Sequence, residues 1–322
     1  MNLAMKSKVN VYILTGFLGS GKSTLLARLL ANEKAQGNKV GVIMNELGEI
    51  SIDSSIVPGD APLKELLGGC ICCSIQGELS LQLSQMLGEY ELDSIYIEAT
   101  GAAHPMEIIH ACSHPTFSYK VHIQAVISMV DAKQWSERAT LKPKVTKLIE
   151  DQVKYADVLI INKIDKVDPS GWQGIEKDVA TLNPKAYILP TQYASVDPNF
   201  LQGVSHKGKT VDGYTPAHVQ HSLHLRTFSR ELEGPVDRLR FESWMKNLPG
   251  TIYRGKGFLQ LTESPGLFSY QFAYGESMFV PFQSERPIQP VIVIIGEDLE
   301  HERMEKELRE LQQLRSVDQY RY

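Results

Sequence analysis

Cysteine is scarce in this chain: four occur in 322 residues, and three of them fall within four positions. That is no disulfide framework, and it suits a reducing compartment, the cytoplasm. A basic surplus is missing too, since 33 Lys and Arg face 38 Asp and Glu for a formal net charge of −5. Non-specific nucleic-acid binding normally shows the opposite balance, so no nucleic-acid partner is expected. No apolar run reaches the ~18 residues of a membrane helix, so no membrane partner is expected either. The stretch Met1-Asn2-Leu3-Ala4-Met5-Lys6 lacks the apolar core of a secretion signal. Internal repeats are absent. What remains is an ordinary globular composition, 43% hydrophobic and 22% charged, in a chain long enough for two domains and a sizeable core.

The rest of the chain is organised around Gly16-Phe17-Leu18-Gly19-Ser20-Gly21-Lys22-Ser23, which satisfies G-x-x-x-x-G-K-[ST]. An apolar, β-branched run from Val9 to Leu14 precedes it, and Thr24 to Leu30 follows with apolar residues at helical spacing. The motif therefore sits on the strand-to-helix turn that a P-loop requires. Its glycines let consecutive N–H groups converge on a polyphosphate, and the helix N-terminus adds a favourable dipole. In that arrangement Gly16, Gly19, Ser20, Gly21 and Thr24 border the phosphates. Lys22 reaches the β- and γ-phosphates, and the Ser23 hydroxyl ligates Mg²⁺.

Further strands are predicted at Lys39–Met44, Ser94–Glu98, Ile123–Val130, Asp157–Ile161 and Ala186–Leu189, with Gly37 as the stop of the first helix. Alternating strands and helices imply an α/β P-loop NTPase domain over 1–194: a mostly parallel sheet with helices on both faces. The polar stretch 195–217, with Asp197-Pro198 and Gly203, Gly208 and Gly213, reads as a linker or loop. Beyond it come a strand (Ser222–Phe228), a helix opening at Pro235, and two or three strands between Ile252 and Ile295. A charged amphipathic helix from Glu300 to Leu314 closes the chain. These predict a smaller α+β domain over 218–322.

Asn162-Lys163-Ile164-Asp165 follows an apolar strand and fits the N/T-K-x-D pattern. A carboxylate at Asp165 can accept from both N1–H and the exocyclic amine of guanine, a donor pair adenine does not offer. Asn162 and Lys163 would support that loop and cover the base; a charged βα loop is the plain alternative. Glu98 ends a buried apolar strand, an expensive place for an acid without a task or a partner. It is placed to act through the Mg²⁺ hydration shell or on the attacking water, with Gly101 free to move against the γ-phosphate. A carboxylate capping the next helix is the alternative. Asp131 ends another apolar strand, and an N-cap for Ala132–Glu137 explains it equally well. Thr191–Ala194 is a weakly specified candidate for closing over the base. Asn45–Glu49 leaves the carboxyl edge of the second strand, where ligands sit in open α/β sheets. Glu46 in this loop joins Lys22 and Glu98 as a candidate catalytic residue.

Gly68-Gly69-Cys70-Ile71-Cys72-Cys73 carries a metal signal. Thiolates ligate zinc and other soft or borderline ions, and one loop can turn three toward a centre. The Cys-x-Cys-Cys cluster is not the paired C-x₂-C arrangement of a structural zinc ribbon and no second pair follows, so the incomplete shell suits a transfer site better than a structural one. Glu49 and His114 are candidate additional ligands, and buried inert cysteines are the alternative. Cys112 stands alone on a predicted helix and is assigned to packing. His206, His218, His221 and His224 cluster around the linker, but their spacing in a strand does not place all on one face. They read as solvated side chains, with auxiliary metal capture as the other reading.

Together these residues resemble the CobW-type P-loop GTPases, relatives of the nickel-insertion GTPases of urease and hydrogenase maturation. The resemblance is carried by Thr15–Leu26, Asn45–Glu49, Gly68–Cys73, Glu98–Gly101, Asn162–Asp165 and Tyr253–Phe258, and spans nearly the whole chain. It implies a GTPase that binds zinc or a similar divalent metal at Cys70, Cys72 and Cys73 and delivers it to a client metalloprotein. GTP or GDP, Mg²⁺ and zinc are the implied cofactors, and a homodimer is compatible with the motifs. The resemblance also implies that the backbone from Cys73 through Ser74 to Gly77 lies close to the nucleotide, beside the metal. Some relatives carry an acid immediately before the Asn-Glu pair, where this chain has Met44, so one potential ligand is missing. A metal-responsive GTP-binding buffer or sensor that recruits partners without transferring metal fits the same motifs. An ATP-dependent kinase is disfavoured by Asn162–Asp165.

Overall fold

Val9–Thr15 is apolar at most positions, so it needs cover on both faces and a partner along both edges. As β1 (Val9–Thr15) it obtains both, pairing parallel with β4 (Ser94–Glu98) on one side and β5 (Val121–Asp131) on the other. The structure, a computed structural model, describes residues 8–45, 63–66, 75–204, 225–273, 275–283 and 287–313. The chain divides into two units. The first is built from the described residues up to Cys112 and from Lys120 to 204. The second takes Ser113–Tyr119 and the described residues from Leu225 onward.

In the first unit β2 (Val40–Asn45), β3 (Leu63–Leu66), β6 (Val158–Asn162) and β7 (Tyr187–Pro190) complete a seven-stranded sheet. Its order is β3-β2-β4-β1-β5-β6-β7, and every neighbouring pair is parallel. The short strand β3 was not anticipated. Helix α1 (Lys22–Gln36) ends, as expected, at Gly37, whose left-handed φ of 73° lets its N–H reach the Glu33 and Lys34 carbonyls. Tyr12 and Leu14 of β1 pack with Leu25, Leu26, Leu29 and Leu30 of α1 on one face. On the other lie α4 (Ala132–Ser136), α5 (Pro143–Lys154) and α6 (Pro169–Leu182), through Trp135, Ile149, Val153, Ile175 and Val179. Helices α2 (Ile75–Glu89) and α3 (Pro105–Cys112) bury Leu79, Leu83, Ile108 and Ile109.

Part of the stretch expected to be a linker is structured. Asp197 caps α7 (Pro198–Gly203), and Leu201 and Val204 are buried in the core beneath α1. Gln124 of β5 donates to the Val204 carbonyl at 2.6 Å. Local polarity hid this, because the few apolar side chains of the described part, Val196, Phe200, Leu201 and Val204, fall among polar and turn-forming residues.

The second unit is an antiparallel sheet in the order β11-β10-β9-β12-β8. Its strands are β8 (Leu225–Glu231), β9 (Thr251–Gln260), β10 (Leu267–Ala273), β11 (Glu276–Phe282) and β12 (Val291–Glu297). Helices α8 (Arg238–Lys246) and α9 (His301–Gln313) share one core with it, through Phe241, Met245, Met304 and Leu308. Helix α8 begins three residues after Pro235. Val236 instead pairs with the end of β9, its N–H donating to the Gln260 carbonyl at 2.9 Å, and Asp237 is the cap. Among the described residues no helix is long and apolar enough to cross a membrane.

Candidate functional site

The carboxyl ends of β1, β4, β5 and β6 share one edge of the parallel sheet, the edge at which such sheets bind ligands. Gly16 follows β1 with φ 129°, and a Cβ there would lie 2.2 Å from the Met129 carbonyl oxygen of β5. Only glycine permits that approach. Gly21 has φ 109°, and a Cβ on it would meet Asn162 Nδ2 at 2.6 Å. Helix α1 starts directly after it with no capping side chain, so its first N–H groups remain open to an anion.

Lys22 is buried, and its Nζ turns back to the loop's own carbonyls, donating to Gly16 at 2.9 Å and Phe17 at 3.3 Å. Burial lowers its pKa, and the neighbouring Glu98 charge partly offsets this. Ser23 Oγ donates to Glu98 Oε1 at 2.6 Å. Burial raises the Glu98 pKa against the opposing effects of that hydrogen bond and of Lys22. Glu98 Oε2 and Ser20 Oγ are buried without a protein partner. Such oxygens are costly unless something else engages them. A carboxylate and a hydroxyl, both hard oxygen donors, suit a cation such as Mg²⁺ better than a thiophilic metal. Glu98 is no helix cap, since α3 begins only at Pro105.

Asn162 ties two loops together. Its Nδ2 donates to the Ser20 carbonyl at 2.9 Å, and its Oδ1 accepts from the Ala194 N–H at 3.0 Å. Lys163 has a left-handed φ of 60°, uncommon for a residue with a side chain. Its Nζ donates to the Gly19 carbonyl at 2.7 Å and pairs with Asp131 Oδ2 at 2.7 Å. Asp165 is exposed, leaving its carboxylate open to a ligand. Asp131 caps α4 as its position suggested. Gln134 Nε2 donates to the Leu18 carbonyl at 3.0 Å. Gly101 packs on the P-loop so closely that a Cβ would lie 2.6 Å from Leu18 N. Gln152 of α5, buried, donates to the Gly101 and Ala103 carbonyls at 3.1 and 3.2 Å. The two glutamines carried no sequence signal; Asp131 did, as an acid ending an apolar strand.

The structure thus brings together Gly16, Gly19, Ser20, Gly21, Lys22, Ser23, Glu98, Gly101, Asn162 and Lys163. Thr24 is exposed in the first turn of α1, and Gly77 is exposed on α2. Glu46, Glu49, Cys70, Cys72, Cys73 and Ser74 lie outside the described residues, as do His206, His218, His221 and His224. His114 is grouped with the second unit. Its Nδ1 lies 2.9 Å from Thr116 Oγ1 and its ring stacks on Phe117. Burial, then the Lys256 charge, lowers its pKa and favours the neutral imidazole. Among the described residues no three His, Cys, Asp or Glu are grouped to hold a metal ion. Cys112 is buried and its thiol pKa is pushed up, in keeping with packing.

This fold and these loops define a P-loop nucleotide-binding protein. Residues 10–190 match the family model of the CobW/HypB/UreG nucleotide-binding domain, and residues 225–312 match that of the cobalamin synthesis protein cobW C-terminal domain. The chain belongs to the CobW family. It is 30% identical over 313 residues to the zinc chaperone YjiA of Escherichia coli strain K12, covering 91% of this chain and 96% of that one. Zinc-regulated GTPase metalloprotein activator 1 of Dictyostelium discoideum is 24% identical over 328 residues, covering 85% of this chain and 67% of that one. A crystal structure of a Zn(II)-bound triple mutant of the YjiA GTPase is similar with a TM-score of 0.50 at 23% identity. The match covers 96% of this chain and 100% of that one, and the likeness is one of fold.

Proposed function

We propose that this protein is a GTP-hydrolysing metallochaperone that takes up zinc or a similar divalent metal and passes it to a client metalloprotein under nucleotide control. The observation that carries the reading is the Ser23–Glu98 pair, 2.6 Å apart, beside a P-loop tied to Asn162 and Lys163 in a chain of this family. The chain is a GTPase of that family. On nucleotide binding Lys22 exchanges the Gly16 and Phe17 carbonyls for phosphate oxygens, and the Ser23 hydroxyl leaves Glu98. Ser23 and Glu98 are the residues that would hold Mg²⁺, which supplies charge neutralisation on the phosphate oxygens. Glu98 acts either through the Mg²⁺ hydration shell or on the attacking water, with Glu46 as the second candidate for the latter. Gly101 senses the γ-phosphate and Asp165 selects guanine, while Cys73, Ser74, Gly77 and Thr24 border the nucleotide.

Zinc is the cargo. Cys70, Cys72 and Cys73 are its proposed ligands, with Glu49 and His114 as further candidates, and the names of the two relatives support the metal. Nucleotide and metal chemistry are assigned to 1–194 and client recognition to 218–322. The cytoplasm is the proposed compartment, because the thiols must stay reduced.

The test is zinc affinity by chelator competition, with the protein held in a non-hydrolysable GTP analogue and then in GDP. A difference of tenfold or more, about 1.4 kcal/mol of coupling, is expected. Equal affinities would favour a GTP-binding metal buffer that recruits partners without transfer. Cys72→Ser with Cys73→Ser should weaken zinc binding; tight stoichiometric binding after that change would overturn the ligand set.

A further inference from the structure

Asp131 does more than cap a short helix. Its Oδ1 accepts from the N–H groups of Lys133 at 3.0 Å and Gln134 at 3.2 Å, which completes the cap. A cap needs only one acceptor, and Ser, Thr or Asn would serve as well. The second oxygen, Oδ2, is committed to Lys163 Nζ at 2.7 Å, and the same ammonium donates to the Gly19 carbonyl at 2.7 Å. Lys163 therefore starts two residues before Asp165, at the end of β6, and reaches the tip of the P-loop. Asp131 is 7% exposed and Lys163 28%, so a fixed carboxylate holds the more open of the two side chains. A lysine stem has wide rotamer freedom, and a charged acceptor anchors it more strongly than a carbonyl alone. Gln134 braces the same loop one residue earlier, at Leu18.

We propose that Asp131 is a positioning residue for nucleotide binding: acting through Lys163, it clasps the base-recognition loop to the P-loop, so the site is preformed before nucleotide arrives. This rests on reading Asn162–Asp165 as the guanine loop. The test measures dissociation of a fluorescent GDP analogue and steady-state GTP hydrolysis with the full chain. Asp131→Asn and Asp131→Ser both keep an acceptor for the cap and lose the charged partner of Lys163. Each should speed GDP release about tenfold, the scale of one charge-assisted hydrogen bond. KM for GTP should rise by a similar factor while kcat moves less than about twofold. Lys163→Met should match them, and adding Asp131→Asn to it should change nothing more. Wild-type GDP release from both Asp131 variants, with Lys163→Met still fast, would overturn the clasp and leave the guanine loop standing. Losses that multiply in the double variant would also overturn it. Wild-type release from Lys163→Met would instead remove the reading of the loop, and the clasp with it.

Discussion

In the first unit Lys22, Glu98, Asp131, Gln152 and Asn162 are all less than a tenth exposed, whereas every buried side chain described beyond residue 225 is apolar or aromatic. The polar tips of the second unit's buried rings find partners: Tyr270 Oη meets Ser277 Oγ, and Trp244 Nε1 donates to Glu307. Burying an ionisable group without a full set of partners is unfavourable. The first unit accepts much of that burden at the carboxyl edge of its sheet, where polar atoms tie loops together and leave Glu98 Oε2 unpaired. The second unit also leaves single polar atoms buried and unpaired, at Ser113, Arg226 and Thr227, but the core between its sheet and helices is built of apolar and aromatic side chains. Both units rest on apolar cores, and the buried ionisable groups of the P-loop edge belong to the first.

That contrast can be attacked from both sides. The largest effect should come from Phe241→Ala, whose ring lies 5.1 Å from Tyr270 and 5.5 Å from Trp244. It should cost about 3–5 kcal/mol of the second unit's stability in denaturant unfolding. A cost near zero would end the claim that packing holds that unit. Lys22→Ala should lower GTP hydrolysis by ~10²–10³-fold, read as phosphate release, with no loss in melting temperature. A marked loss of stability would show that the buried ammonium serves the fold as well as the site. Asp165→Asn should reduce the preference for guanine over adenine nucleotides by about tenfold in competition binding. Unchanged preference would remove Asp165 from base recognition.

The smallest effect concerns Glu98. With its pKa raised in the folded chain, it keeps a proton that the unfolded chain has already released. Its contribution to stability is present in acid and is lost as pH climbs above the ordinary carboxylate range. Glu98→Gln should flatten that decline in melting temperature between mildly acid and neutral pH. Identical pH profiles for the two proteins would mean that Glu98 titrates as an exposed acid does.

The buried parallel strands were legible because each is a short apolar run ended by a polar loop, and the loops carry motifs with fixed spacing. Leu63-Lys64-Glu65-Leu66 was not legible, being too short and too charged to announce a strand. Pro235 misled, because proline at a helix start and proline beside a strand bridge look alike until the partner strand is known. In the site, Lys22, Ser23 and Asn162 were named by motif. Gln134 and Gln152 act through contacts that exist only once α4 and α5 are laid on the sheet. Asp131 stood between: its cap was readable from the next few residues, but its pairing with Lys163 spans a separation that no local pattern encodes.

The central place of β1 has a consequence for the order of synthesis. The strand leading to the P-loop is made before both of its neighbours, and the second of them ends only at Asp131. Parallel pairing across such a gap is slow, and until β5 is made an apolar strand keeps at least one open edge. The loop's own tether comes later still, when Asn162 reaches Ser20. A nascent chain stopped before β6 would carry the whole phosphate-binding motif without the side chain that fastens it. Fastening of the phosphate loop therefore waits on a strand made long after the loop itself.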